Sequence, residues 1–505
     1  MKRYACVRSA VLKGLEPIEV VVEAHIDPRS VYNDVDIIGL GDTAVKESKR
    51  RVRSALNSLG FKFPDGRVVV NLAPSDLKKE GSALDLPIAI AILRASDQLE
   101  FQDDYLILGE LGLNGEVRRI NGLLPILAGL DGATKILIPQ ANLSEAQLVR
   151  NRSIYAFENL RDVVAFLQGM RNFPALDPLI LENTTPHWDI DMADVRGQEA
   201  AKRALMVAAA GAHNVLMIGS PGSGKTMLAK RLVTILPPMT EEEILETSKV
   251  YSVAGLLPPE GYVLRRPFRS PHHSASIAAL VGGGATAKPG EISLAHNGVL
   301  FLDELPEFRR DVIEALREPM ENGHITVARA KATVKYPARF MLVAAQNPCP
   351  CGWYGDREHD CTCSISEIMR YNKKISGPLL DRIDIFINVP RLTYEEYRSS
   401  TSSTDSATMR EKVMMARTIQ LKRFAGEKIR CNAHMDGKML REHVKLDPTC
   451  EKILEESVKA LKMSARAIEK VLKVSRTIAD LEASKDVKAE HLVEAIRYRQ
   501  REAIP

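Results

Sequence analysis

The chain has 505 residues, of which 45% are hydrophobic and 27% are charged. This balance is typical of a globular protein and excludes a fibrous, collagenous or mainly disordered chain, and the length predicts about three domains. The formal net charge of +4 is too small to indicate a polyanionic partner, so any nucleic-acid surface must be a local patch.

Neither a membrane span nor a disulfide scaffold is predicted. The longest apolar run, 84–93, is interrupted by Asp85 and Pro87 and is much shorter than the roughly 20 residues of a membrane helix. The N-terminus lacks the apolar core of a signal peptide. Seven cysteines are too few for a disulfide scaffold in a chain of this length. We therefore expect a cytoplasmic protein without membrane contact.

Strand-like runs and two helical patterns predict an α+β domain over residues 1–170. The predicted strands are 18–26, 67–71, 106–108 and 135–138, and the predicted helices are 43–59 and 82–95. The first helix carries a stretch of cations, which are Lys46, Lys49, Arg50, Arg51 and Arg53. This stretch is consistent with a DNA-contacting surface or with a solvated helix face.

Composition divides the rest of the chain. Segment 171–193 has three prolines and no clear period, which predicts a linker. From 194 to 390, short apolar runs alternate with helical patterns, as in a parallel α/β sheet. Small polar residues around 397–408 mark a second boundary, and we expect a helical domain over 391–505.

Segment 219–226 fits the phosphate-binding pattern G-x-x-x-x-G-K-T in full. Its residues are Gly219, Ser220, Pro221, Gly222, Ser223, Gly224, Lys225 and Thr226. An apolar strand precedes it and a helical pattern follows it, which is the context the motif requires. Backbone N–H groups bind phosphate oxygens in such a loop, with Lys225 at the β- and γ-phosphates of ATP and Thr226 on Mg²⁺. A chance glycine-rich turn is the alternative.

Two further apolar strands end in polar residues. The run 298–302 is followed by Asp303, predicted to hold Mg²⁺ through water, and by Glu304, predicted to polarise the attacking water. The run 339–346 is followed by Asn347, whose side chain is predicted to orient water near the γ-phosphate. For Asn347 an ordinary turn is the alternative. With the phosphate loop, these strands predict an ATPase.

With Leu379-Leu380-Asp381-Arg382-Ile383-Asp384, these elements resemble an AAA+ ATPase of the magnesium-chelatase and MCM-helicase branch. Segments 268–274 and 476–481 extend the resemblance to the ComM/YifB family of magnesium-chelatase-like proteins, over essentially the whole chain. It implies an α/β AAA+ core with a helical lid, and a ring, expected to be a hexamer, with ATP between subunits. It also implies an arginine finger at Arg382, where LDRID replaces the usual LDRFD, and a sensor-2 arginine at Arg466. For each arginine a surface ion pair is the alternative.

Two inserts are candidates for substrate contact. The resemblance implies that the long segment 236–297 holds a helix-2 insert facing the pore. Its neighbours His272 and His273 are not expected to share a metal, because adjacent strand residues point to opposite faces. Segment 324–338 alternates like a hairpin, which the resemblance identifies as the pre-sensor hairpin that grips nucleic acid. Arg329 and Lys331 near its turn are expected to contact phosphates, or otherwise to protect a solvated edge.

A cysteine cluster with the pattern C-x-C-x9-C-x-C directly follows Asn347. Its members are Cys349, Cys351, Cys361 and Cys363. Four thiols so close together predict a closed tetrahedral zinc site with a structural role. Free thiols or a redox pair are the alternatives, and His359 is an alternative ligand for one position.

The segments 39–48, 79–83 and 109–115 resemble the Lon-protease-type domain and the related domain of the RadA recombination helicase. Lon-type proteases use a serine nucleophile and a lysine base. The serine position falls on Ala83 and the lysine position on Leu124, and Ser82 is one residue away without an evident base. We therefore expect a Lon-protease-like fold without protease activity, serving as a ring platform or a DNA-contact domain.

The leading hypothesis is an ATP-driven ring motor that acts on single-stranded, duplex or branched DNA without sequence preference. The resemblance implies a branch-migration helicase in recombination during natural transformation. One alternative is a magnesium-chelatase motor subunit, although those motors need a partner with a D-x-S-x-S motif that this chain lacks. Another is a nucleotide-gated loader or scaffold that acts on a protein partner.

Overall fold

The computed structural model describes residues 3–30, 34–76, 79, 81–102, 104–130, 132, 135–180, 188–284, 287–329, 332–399 and 404–500. Over these residues, a mixed sheet, a parallel sheet and a group of helices follow one another along the chain. None of the described helices is long and apolar enough to cross a membrane.

The N-terminal sheet has seven strands in the order β3-β4-β2-β1-β5-β8-β9. The strands of this part are β1 (Tyr4–Lys13), β2 (Glu16–Asp27), β3 (Val35–Ile38), β4 (Arg67–Ala73), β5 (Tyr105–Ile107), β6 (Glu110–Leu111), β7 (Val117–Arg118), β8 (Lys135–Pro139) and β9 (Ser153–Phe157). The helices are α1 (Thr43–Ser58), α2 (Asp85–Ala95), α3 (Leu123–Gly129), α4 (Leu143–Ala146) and α5 (Leu160–Leu167). β1, β2 and β4 pair antiparallel, whereas β5, β8 and β9 pair parallel.

The four predicted strands and the two predicted helices of this domain are present, with boundaries that differ by up to three residues, whereas β1, β3, β6, β7, β9 and α3–α5 were not predicted. Helix α1 begins where it was expected, because the Asp42 side chain caps it by accepting the N–H of Val45 at 2.9 Å. Helix α2 begins at Asp85 rather than at residue 82, since residues 82–84 form a turn. Pro87 is tolerated in its first turn, where no intrahelical N–H bond is lost.

The cations of α1 are not equivalent, which corrects the view of them as one cationic stretch. Arg51 forms two hydrogen bonds to the fully buried Asp85, at 2.6 and 3.0 Å, and Ser48 also donates to this carboxylate. Lys49 lies 3.7 Å from Asp34. Arg51 therefore holds α1 against α2 and does not belong to a free basic surface.

The central sheet has five parallel strands in the order β11-β14-β17-β10-β18. The strands of this part are β10 (Val215–Ile218), β11 (Phe268–Arg269), β12 (Gly282–Gly283), β13 (Lys288–Pro289), β14 (Val299–Leu302), β15 (His324–Arg329), β16 (Ala332–Pro337), β17 (Met341–Gln346) and β18 (Ile385–Asn388). The helices are α6 (Glu199–Gly211), α7 (Lys225–Ile235), α8 (Glu241–Ala254), α9 (Ile277–Val281), α10 (Glu291–Leu294), α11 (Arg310–Ala315), α12 (Arg317–Asn322), α13 (Ile365–Asn372), α14 (Gly377–Leu380) and α15 (Tyr394–Ser399).

Strand β10 shows why this sheet is buried on both faces. Val215 and Met217 join one core with α6 and α7, whereas Leu216 and Ile218 join a second core on the opposite face. A strand of a parallel sheet covered on both sides reads as a continuous apolar run rather than an alternating one. The expected parallel α/β core is confirmed, and the hairpin expected at 324–338 is formed by β15 and β16.

The C-terminal part is helical, as expected, although breaks separate the helices. They are α16 (Ser406–Arg423), α17 (Gly437–His443), α18 (Pro448–Leu461), α19 (Ala465–Leu481) and α20 (Ala489–Arg497). Side chains of α16, α19 and α20 share the core that lies under β10 and α6. The predicted linker has no regular structure over 171–180, and 181–187 lies outside the described residues.

Replacing Arg51 tests the assignment of this side chain to the interior. Arg51→Met is expected to destabilise the N-terminal domain by about 3 kcal/mol, because it leaves the buried Asp85 carboxylate without its cation. Thermal unfolding of the full chain should show an earlier transition. Arg50→Met, at the exposed neighbouring position, is the matched control and should leave the transition unchanged.

Candidate functional site

Three neighbouring strands end at one edge of the central sheet and gather the predicted site. β17 lies between β14 and β10, with Leu302 opposite Ala344 and Ile218 opposite Gln346. The strands run parallel, so the residues after each one emerge at the same edge. The phosphate loop, Asn347 and the pair Asp303-Glu304 are therefore neighbours, as predicted.

The phosphate loop passes directly into α7. Gly224, the last residue before the helix, has φ of 94°, a left-handed value that glycine adopts without strain. The Lys225 ammonium donates to the main-chain oxygens of Gly219 and Ser220, at 2.6 and 2.9 Å, and to the Asn347 side-chain oxygen at 3.3 Å. The lysine thus spans the loop and reaches the end of β17.

An anion would stabilise the buried ammonium group of Lys225. Burial lowers the pKa of Lys225 to about 8, although the carboxylates of Asp303 and Glu304 act in the opposite direction. A buried ammonium surrounded by neutral carbonyl oxygens gains from a negatively charged partner. Phosphate groups at a helix N-terminus supply such a partner, so this donor set fits ATP.

Thr226 and Asp303 form an oxygen-rich pair beside the lysine. The Thr226 hydroxyl donates to Asp303 at 2.7 Å. Hydroxyl and carboxylate oxygens are the ligand types that Mg²⁺ takes in nucleotide sites. The pair therefore fits the predicted magnesium position.

Glu304 has a partner that the sequence analysis missed. Its carboxylate lies 3.3 Å from Nδ1 of His273, and the His273 ring packs against Phe308. The two histidines follow β11 rather than lying on a strand, and their rings are 4.1 Å apart. His272 and His273 therefore do not lie on a strand, contrary to what was assumed, and the expectation that they do not share a metal stays a prediction. The sequence could have indicated the contact with Glu304, because His273 lies just after β11, the strand that pairs with β14.

The two predicted arginines lie apart from this cluster. Arg382 precedes the edge strand β18, is 9% exposed, and donates to Glu321 and to the Pro378 carbonyl oxygen. Arg466 is exposed in the first turn of α19. Among the described residues, no hydrogen bond or ion pair joins either arginine to the phosphate loop. Their roles remain predictions.

The predicted DNA contacts fall where the structure gives no side chains. The backbone of Arg329 closes β15, but its side chain is not described, and Lys331 is outside the described ranges. The assignment of both residues to phosphate contact therefore stays a prediction.

The four cysteines of the predicted zinc site come together. Their sulfur atoms lie within 4.8 Å of one another, with Cys349 at 3.3 Å from Cys351 and at 3.6 Å from Cys361. A tetrahedral site with Zn–S of about 2.3 Å has sulfur atoms ~3.8 Å apart. All four are free thiols in the structure. Burial and the adjacent sulfurs raise the pKa of Cys361, and a bound cation would favour its thiolate form.

His359 does not belong to this sulfur group. Its ring stacks on Trp353, with centroids 4.3 Å apart, and its Nδ1 lies 3.2 Å from Nη1 of Arg391. Of the alternatives considered for the four ligand positions, the arrangement favours four sulfurs.

The cysteine loop is packed against the phosphate loop. A Cβ atom on Gly352 would lie 2.7 Å from the Pro221 ring, so only glycine allows this approach. A hydrogen bond from Ser220 lowers the pKa of Asp356 to about 2. The fold of the cysteine loop therefore bears directly on the shape of the nucleotide site.

Three family models match consecutive parts of the chain. The model for subunit ChlI of Mg-chelatase matches 22–142, that for magnesium chelatase, subunit ChlI, matches 191–397, and that for the ChlI C-terminal region matches 403–499. Each of the three structural parts described above contains one of these matches.

Full-length relatives are also found. The chain is 45% identical over 98% of its length to competence protein ComM of Haemophilus influenzae, of which it covers 97%. It is 41% identical over 98% of its length to protein YifB of Salmonella typhimurium, covering 97% of it. To YifB of Escherichia coli it is 42% identical over 96% of its length, covering 95%.

Substitutions at the strand ends test the site. Lys225→Ala is expected to abolish both nucleotide binding and turnover, because the buried cation is lost. Glu304→Gln should retain binding but lower ATP turnover by about 10²–10⁴-fold, as expected for the loss of a general base. Binding of a fluorescent ATP analogue and phosphate release measure the two effects. Lys230→Ala, at an exposed position of α7, is the matched control. Turnover at the wild-type rate in Lys225→Ala or Glu304→Gln contradicts the assignment.

Proposed function

The chain belongs to the ComM/YifB family of magnesium-chelatase-like AAA+ ATPases, and from this premise we propose that it is a ring motor that couples ATP hydrolysis to DNA remodelling. The observation that carries the ATPase part is the convergence of Lys225, Thr226, Asp303 and Glu304 at one sheet edge. The DNA part is supported by full-length similarity to a protein named for competence. The specific activity proposed is branch migration in recombination during natural transformation.

The described side chains divide the work of hydrolysis among them. Lys225 binds the β- and γ-phosphates, and Thr226 and Asp303 hold Mg²⁺, which neutralises phosphate charge when bound. Glu304 polarises the attacking water. His273, 3.3 Å from Glu304, orients that carboxylate, and Asn347, 3.3 Å from the Lys225 ammonium, orients the attacking water.

The site is completed by a neighbouring subunit in a ring, expected to be a hexamer. Arg382 contacts Glu321 and Pro378 rather than its own phosphate loop, which suits a residue that serves the next subunit. An arginine donated to a γ-phosphate stabilises the charge of the transition state. Arg466 contacts nucleotide from the lid of its own subunit.

Zinc is proposed as a structural ion of the cysteine loop. Sulfur separations of 3.3–3.6 Å among Cys349, Cys351 and Cys361 are close to those of a tetrahedral site. Four protein ligands leave no open position for catalysis. The ion would instead fix the loop that packs against Pro221.

The N-terminal domain is proposed to be Lon-protease-like but inactive. Leu124, at the position of the catalytic lysine, is fully buried, and Ala83 supplies no nucleophile. The Ser82 hydroxyl donates to Glu110 rather than to a base of the required kind. The domain then serves as a platform for the ring.

A magnesium-chelatase-type motor subunit is the second candidate, because the family models carry that description. The first experiment separates the two functions. The ATPase rate is measured with and without single-stranded, duplex and four-way-junction DNA. We expect stimulation by DNA, and junction unwinding that Glu304→Gln loses. An ATPase indifferent to every DNA overturns the DNA proposal and favours the chelatase-type motor or a loader of a protein partner.

The hairpin provides a second arm of that experiment. The substitutions Arg329→Ala and Lys331→Ala should weaken DNA binding without changing sequence preference. Each lost phosphate contact should reduce the slope of log K, the DNA-binding constant, against log salt concentration by about one. Lys335→Ala, at an exposed position of β16, is the matched control. If all variants bind DNA equally well, the DNA contact does not lie on this hairpin.

Metal analysis tests the zinc proposal. Protein purified under reducing conditions without chelators should contain about one zinc per chain. Cys361→Ser combined with Cys363→Ser should lose the metal and weaken nucleotide binding, because the loop no longer supports Pro221. Cys6→Ser, at an exposed free cysteine, should retain the metal. Metal-free wild-type protein under these conditions contradicts the proposal.

A further inference from the structure

Arg382 is restrained inside its own subunit. Its Nη2 donates to Glu321, its Nη1 donates to the Pro378 carbonyl oxygen at 2.5 Å, and its side chain is only 11% exposed. An arginine that acts on a neighbour's nucleotide has to extend from its own surface. In this conformation it does not extend.

The partner of Arg382 lies on the helix that leads into the hairpin. Glu321 is the fifth of the six residues of α12, and β15 begins three positions later, at His324. The Thr326 hydroxyl, on β15, donates to Glu318 on the same helix at 2.9 Å. One short helix therefore contacts the hairpin at Glu318 and the arginine at Glu321.

The restraint is easily broken. The Glu321 side chain is 51% exposed, so water solvates its carboxylate once the arginine leaves. The Nε of Arg382 is buried without a hydrogen-bond partner among the described residues, so the pocket satisfies the guanidinium only in part. Partly exposed ion pairs of this kind contribute little free energy. A displacement of α12 removes the Glu321 contact and leaves the hydrogen bond to the Pro378 carbonyl oxygen as the remaining described hydrogen bond of the Arg382 side chain.

We propose that Glu321 is a positioning residue that holds Arg382 back until nucleic acid on the β15–β16 hairpin displaces α12. The proposal rests on the proposed function, in which Arg382 serves the next subunit and the hairpin contacts DNA. It adds the connection between these two elements. ATP hydrolysis by one subunit then depends on DNA bound by its neighbour.

Removing Glu321 is predicted to change the ATPase rate in the opposite direction from removing a merely structural ion pair. If Glu321 only stabilised the fold, its removal would lower both activity and thermal stability. If it restrains Arg382, its removal raises the ATPase rate measured without DNA. DNA then stimulates the ATPase rate by a smaller factor.

The test uses the full chain with Glu321→Gln, which keeps the shape of the side chain and removes its charge. Loss of a partly exposed ion pair predicts a DNA-independent ATPase rate about two- to fivefold above wild type. The ratio of DNA-stimulated to basal rate should fall by the same factor, with Tm and ring size by light scattering unchanged. Glu455→Gln is the matched control, because Glu455 pairs locally with Lys459 on α18 at 2.5 Å, away from α12. It should behave as wild type.

Two further variants test whether the effect of Glu321 passes through Arg382 and whether the hairpin acts through α12. Glu321→Gln combined with Arg382→Ala should be as inactive as Arg382→Ala, since the gain passes through the arginine. Thr326→Val, which cuts the bond between hairpin and α12, should reduce stimulation by DNA. An unchanged or lower basal rate in Glu321→Gln overturns the proposal, as does a gain that survives Arg382→Ala.

Failure of the proposed function is recognised separately. Wild-type turnover in Arg382→Ala removes the arginine finger itself, whatever Glu321→Gln does. A wild type that no DNA stimulates removes the role of the hairpin. A raised basal rate in Glu321→Gln still supports the restraint in that case.

Discussion

The register of three parallel strands is the constraint on which this molecule depends. β17 lies between β14 and β10, so whatever follows each strand meets at a single edge. A shift of one residue in any pairing would move its side chains to the other face. The buried contact of Lys225 with Asn347 and the hydrogen bond between Thr226 and Asp303 exist only in this register. Because both faces of the sheet are covered by apolar cores, a change of strand register would be costly.

A second connection joins this sheet to the C-terminal helices. Asp384, buried just before β18, lies 2.7 Å from the ammonium of Lys470 on α19 and accepts the N–H of Asn214 at 2.7 Å. Arg466, proposed to contact nucleotide, is one turn earlier on the same helix, and Arg382 is two residues before Asp384. Helix α19 therefore links the two arginines. The segment that carries Arg382, the proposed arginine finger, is therefore joined to the lid helix through the ion pair of Lys470 and Asp384.

Local signals predicted the parts of the site, and long-range contacts decided their partners. The phosphate loop and the strand ending in Asp303 are contiguous patterns, so both elements and their meeting at one edge followed from the sequence. His273 was missed because its contact with Glu304 depends on how the chain leaves β11, which no periodicity encodes. From the sequence alone Arg51 is interpreted as a surface cation, because its partner Asp85 lies thirty-four positions away on α2. The cysteine set was predictable from spacing, whereas its packing against the phosphate loop was not.

The N-terminal domain constrains the hairpin as well. The turn between β1 and β2 approaches so closely that a Cβ on Gly14 would overlap Val334 of β16. The same domain contacts α8, where the Ser252 hydroxyl donates to the buried Glu145 at 2.7 Å. The hairpin thus contacts both this domain and α12, so the DNA proposed to bind it would have to displace one of these two neighbours. The domain is joined to α8 by the buried contact of Glu145, whereas the contacts that α12 makes through Arg317, Glu318 and Glu321 are at least partly exposed. In the proposed mechanism the displacement therefore falls on α12, and the N-terminal domain, proposed to be inactive as a protease, serves as the fixed support.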